Sequence, residues 1–184
     1  MHGAACTSDR QAFPPAWGRS VDAAPRGCTI VGVTAVKPWR WVVRAGLAVL
    51  SALHLWWGAW AIVNPRGFFD TFPGFGRRWT AAYPPFNEHL VSDLGAIFVT
   101  LGVLLGLAAI VDDGKVTAVV LAGAVTFGAL HLAFHVTHHG TLTGADLGLS
   151  LASLVPGVLA PIALLVTDRL VRRRARDAGA AAPP

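Results

Sequence analysis

The sequence predicts an all-α, polytopic membrane protein built as an antiparallel four-helix transmembrane bundle. Three observations predict it. Of the 184 residues, 54% are hydrophobic and only 14% charged, where a soluble domain carries about 25% charged residues. The apolar residues fall into four blocks, Trp41–Val63, Leu90–Val111, Val116–Thr137 and Leu147–Thr167. Each block is long enough to cross a ~30 Å hydrocarbon core at ~1.5 Å per residue. The connections are short, one excepted, so a single membrane domain over residues 37–170 accounts for the chain.

Residues 1–36 mix Ala, Gly, Pro and scattered Arg with no long apolar run. They read as a disordered cytoplasmic extension rather than a signal peptide. Met1 is the sole methionine, and "VTAVKPWRW" from Val33 fits an alternative start, so the native protein is expected to begin near Val33. Cys6 and Cys28 both precede the first span and match no metal or redox spacing. The membrane body therefore holds no disulfide framework.

The first span opens on Lys37, Trp39, Arg40, Trp41 and Arg44. Indoles settle at the headgroups there and long cations snorkel outward. Ala59-Trp60-Ala61 looks like a signal-peptidase site, but the apolar run before it is too long for one. Residues 64–87 form the one long loop, with Phe68, Phe69, Phe72 and Phe75 at near-helical spacing. Such a segment lies in the interface as an aromatic belt, or folds over the bundle as a lid. Asn87 is a good N-cap for span two, followed by Glu88 at the positive helix end. Asp112-Asp113-Gly114-Lys115 is a tight, solvated turn that makes spans two and three antiparallel. Pro156 and Pro161 predict a kink in span four. Residues 171–184 read as a basic, disordered cytoplasmic tail.

Topology follows from the cations. With both termini on one side, that side carries twelve of the fifteen Lys and Arg. The other side carries only Arg66, Arg77 and Arg78. The positive-inside rule then puts both termini in the cytoplasm of a cell-membrane protein. The net charge of +5 flanks the spans, so it speaks for lipid contact and against nucleic acid.

The residues that could carry chemistry share one half of the bundle: His54, His89, Asp93, His131, His135, His138 and Asp146. Ionisable groups in hydrocarbon are costly and mark a site by default. His131, His135 and His138 stand at i, i+4 and i+7, a column of imidazoles within a ~60° arc. His89 and Asp93 share a face of span two. Counting along the helices puts Asp93 and His131 ~9 Å deep and His54 ~13 Å deep. Asp93, His131 and His54 are therefore expected to converge, with His89, His135 and His138 in a shallower tier. Imidazoles and a carboxylate on facing helices are how bundles hold metals or haem. On that reading His54, His131 and His135 bind the cofactor, and His54, His89, Asp93, His131, His135 and His138 form the metal set. Two other readings stay open. One is a proton relay or small-solute pathway; the other is a structural hydrogen-bond network between helices. No HExxH or other catalytic motif is present, so an enzymatic role is left open. Gly102-x3-Gly106, Ala124-x3-Gly128 and Ser153-x3-Gly157 are small-residue packing seams or a homo-oligomer face.

A His in span one, Asn64-Pro65-Arg66 after it, "YPPFNEHLVSDLGA" opening span two and "HLAFH" near the end of span three resemble small actinobacterial four-helix membrane proteins. They are loosely similar to the DoxX-like group. The resemblance covers residues 38–170. It implies the same fold and an accessory role beside a membrane redox partner, and it carries over no catalytic residue.

Overall fold

A computed structural model of the chain describes residues 38–180. The expected extension 1–36, with the start near Val33, lies outside the described residues, as does the end of the chain past Ala180.

Four long helices form the bundle: α1 (Pro38–Val63), α3 (Glu88–Val111), α4 (Gly114–Thr137) and α5 (Gly144–Ala180). All four are long and apolar enough to cross a membrane. Their outward faces support this, with Val63 82% and Ile110 74% exposed. Such residues need a hydrocarbon environment rather than water. The chain is a multi-pass membrane protein with an all-α bundle fold.

The bundle is two tight helix pairs, α1 with α3 and α4 with α5, joined more sparsely to each other. Lipid is as apolar as leucine, so burial alone does not hold such pairs together; close backbone approach does. Small residues permit that approach. A Cβ on Gly58 of α1 would sit 2.8 Å from the carbonyl oxygen of Gly95 and the amide nitrogen of Val99 on α3. Ser51 Oγ adds a bond of 2.7 Å to Gly102 O. In the other pair, a Cβ on Gly128 would lie 2.6 Å from Gly157 O. Gly157 is four residues before Pro161, which has no N–H to offer that carbonyl. The freed oxygen is turned to the neighbouring backbone, and α5 runs unbroken past both prolines. The seams at Gly102 and Gly128 therefore serve packing within the bundle, while a Cβ on Gly157 itself would meet nothing within 4 Å.

The helix ends divide the molecule into a terminal end and a loop end. At the terminal end Asp112 caps α3 in the left-handed region. Its carboxylate is paired with Arg40 of α1 and, at 3.0 Å, with Arg172 of α5. Arg172 also pairs with buried Asp168 at 2.8 Å. Asp112 is thus not in the merely solvated turn expected from the sequence. Arginines from two neighbouring helices meet it there instead. Its neighbour Asp113 does cap α4, accepting the amides of Lys115 at 2.8 Å and Val116 at 3.0 Å. The Val116 and Lys115 amides hold its carboxyl below the usual carboxylate range. Within the expected disordered tail, residues 171–180 are helical, as α5 continues to Ala180. Arginine and alanine are strong helix formers, and the Asp168–Arg172 pair on successive turns supports the extension.

At the loop end, residues 64–87 are ordered. Asn64 Oδ1 accepts Gly67 N at 2.9 Å and Pro65 takes the first turn of α2 (Pro65–Thr71). A two-strand hairpin follows, β1 (Pro73–Gly74) with β2 (Arg77–Arg78), then a short 3-10 turn over Thr80–Ala82. Phe68 and Phe69 are buried and Phe72 stacks on Phe68 at 4.6 Å. Phe75, at the hairpin tip, is 99% exposed. Three of the four phenylalanines therefore point inward, and the segment folds over the bundle.

Candidate functional site

The sparse seam between the helix pairs leaves a cavity of about 300 Å³. All four long helices line it, and the folded loop roofs it with Phe72, Trp79 and Tyr83. Most of the wall is apolar, with Trp57, Phe68, Phe98 and Phe127 its largest side chains. His54, His131 and His135 form much of the polar edge, with Tyr83 and the hydroxyls of Thr80, Ser150 and Ser153.

Each imidazole is held by local chemistry. His54 Nδ1 bonds back to Leu50 O of its own helix at 2.7 Å, and its ring meets the edge of Phe98 at 5.8 Å. His131 stacks on Phe127 at 5.4 Å. One turn later, His135 meets His131 edge-on with ring centroids 4.6 Å apart. His135 Nδ1 lies 2.8 Å from the Tyr83 hydroxyl, and that hydroxyl donates to His138 O at 2.8 Å. Tyr83 thereby ties the roof to α4. Thr141 N donates to Ala82 O at 2.9 Å, and Arg77 pairs with Asp146 at the start of α5. Partial burial raises the pKa of the Tyr83 phenol.

Three of the six residues expected to bind a metal do not reach the cavity. His89 and Asp93 pair with each other at 3.4 Å, with side chains 86% and 58% exposed. The cause is the rotation of α3. Its inward face is Val91, Gly95, Phe98, Gly102 and Leu105, set by close packing on α1. Positions 89 and 93 are each ~160° from the centre of that face, so the expected convergence of Asp93 with His54 and His131 does not occur. His138 follows the last turn of α4 and stacks on Phe134 at 4.7 Å. Asp146 belongs to the Arg77 pair. Among the described residues, no three His, Cys, Asp or Glu side chains come together in a way that could hold a metal ion.

Tyr83 is the residue the sequence reading missed. It is the chain's sole tyrosine and stands just before Pro84-Pro85, a signal that could have singled it out. No family model, curated protein or solved structure matches the chain, so function is argued from its own geometry.

Proposed function

We propose that this membrane protein binds a small, mostly apolar molecule inside the bundle, and that His54, His131 and His135 hold its polar group. One observation carries the reading: a cavity of about 300 Å³ with an aromatic wall and an imidazole edge. That volume is at the small end of ligand pockets, and apolar walls with a few convergent polar groups are their usual character. The positive-inside distribution supports a cell-membrane orientation with both termini cytoplasmic and the loop end outside. Four spans around one site suit an accessory or carrier component beside a membrane partner better than a self-contained transporter.

The test is solvent extraction and mass spectrometry of protein purified without a tag in mild detergent. A co-purifying apolar molecule near one per chain is expected, and Ser153→Phe, which fills the cavity, should lose it. Protein that carries nothing and takes up no small apolar compound would overturn the reading.

A second reading is a transition metal or haem in a redox accessory role. Its support is the contact of His131 and His135 on successive turns, and its weakness is the dispersal of the other expected ligands. Elemental analysis and an absorption spectrum on the same sample decide it. A Soret band or one metal per chain, lost in His131→Ala, would select this reading.

A further inference from the structure

The cavity's imidazoles are not free to choose their hydrogen-bonding role. His54 Nδ1 lies 2.7 Å from Leu50 O. A carbonyl has no proton to give, so Nδ1–H donates. A neutral imidazole carries one N–H, which leaves His54 Nε2 as a bare lone pair. His135 reaches the same state by a longer route. The Tyr83 hydroxyl has one proton and spends it on His138 O. The bond between Tyr83 and His135 Nδ1 at 2.8 Å must therefore be donated by Nδ1–H. His135 Nε2 is then also a lone pair.

Neither Nε2 has a partner among the described residues. Among the described residues no fully buried side-chain nitrogen or oxygen lacks one, so both atoms reach open space. Both rings line the cavity. Two other donors on the wall are already engaged, Trp79 Nε1 with Asp146 at 3.4 Å and Ser153 Oγ with Ser150 O at 2.7 Å, whereas the Trp57 indole N–H is a donor that a hydroxyl oxygen can also meet. His131 has neither nitrogen committed and takes either tautomer, and the hydroxyls of Thr80 and Ser150 serve either role.

We propose that the cavity selects a membrane-soluble molecule bearing a hydroxyl donor, an alkylphenol or a comparable alcohol, over the matching ether or ketone. This rests on the ligand-binding reading above. An O–H reaching a lone pair forms a bond, whereas an ether or carbonyl oxygen there meets a second acceptor and both go unsatisfied. The aromatic walls suit a ring, through edge-to-face contact with Phe98 and Trp57.

The experiment is calorimetric titration of the full chain in detergent with para-butylphenol, para-butylanisole and butylbenzene, corrected for partition into micelles. The phenol should bind about tenfold tighter than the anisole, the scale of one net hydrogen bond. The preference should fall in His54→Phe and vanish when His135→Phe is combined with it. Should that variant fail to fold, nitrogen NMR of wild-type protein with isotope-labelled histidine reads the tautomers directly. Protons on Nδ1 of His54 and His135 are expected. Protons on Nε2, or equal affinity for phenol and anisole, would overturn the hydroxyl selection and leave the ligand-binding reading standing. Failure of all three compounds to bind would remove both.

Discussion

Tyr83 joins three groups through one oxygen, and its loss has a defined cost. Tyr83→Phe removes two hydrogen bonds and strands the His138 carbonyl and the His135 N–H. At about 1 kcal/mol per bond, the variant should lose about 1–3 kcal/mol of stability by thermal unfolding in detergent. The same hydroxyl provides a pH signal. Burial raises its pKa above that of a free phenol, so the folded state holds the proton more tightly than the unfolded one. That stability is full below the unfolded value and is lost as pH rises through the folded one. With one tyrosine in the chain, the phenolate absorbance belongs to Tyr83 alone. It should appear above pH 10.0 in folded protein and shift down on denaturation; identical midpoints would contradict the burial of the phenol under the roof. His131 and His135 were legible in the sequence because helical spacing aligns them. Tyr83 was not, because its position depends on how an aromatic loop folds back, which no periodicity records.

At the scale of the element, the four spans were legible from length and apolarity, and the Asn87 cap of α3 from its residue type. The rotation of each helix was not. α3 is apolar on every side, so hydrophobic pattern does not choose its inward face. The glycines choose it, because only they allow α1 and α3 to approach. Gly58→Ala should therefore cost about 1–3 kcal/mol, the range for forcing extra carbon into a packed interface. Gly123→Ala is the control: its Cβ meets nothing within 4 Å. Removing a helical glycine there should change stability by no more than about 1 kcal/mol, toward greater stability. Thermal unfolding of the two variants side by side checks this. Equal effects would mean that α1 and α3 are not in close contact at Gly58. The same rotation explains His89 and Asp93. They share a face, as their spacing required, but the glycine seam turns that face outward.

The whole molecule is two helix pairs fastened at both ends around a cavity. At the terminal end Arg40, Asp112, Asp168 and Arg172 join α1, α3 and α5. At the loop end Tyr83, Thr141 and the Arg77–Asp146 pair hold the roof to α4 and α5. The fasteners differ in burial. Asp168 is 8% exposed and Arg172 29%, whereas Arg77 and Asp146 are 37% and 51% exposed. A half-exposed pair contributes about 0–1 kcal/mol, too little to hold the fold but enough to bias a roof between closed and open. Asp146→Asn should therefore leave the unfolding temperature nearly unchanged while speeding exchange of a cavity ligand. If the pair exists only in the closed state, its loss raises association and dissociation rates together and moves affinity little. Stopped-flow quenching of tryptophan fluorescence by para-butylphenol reads both rates, since Trp57 and Trp79 line the cavity. A severalfold rise in both would make the roof the route of exchange. Unchanged rates would direct the ligand instead through the sparse seam between the helix pairs, directly from lipid, and the roof would then be a fixed cover.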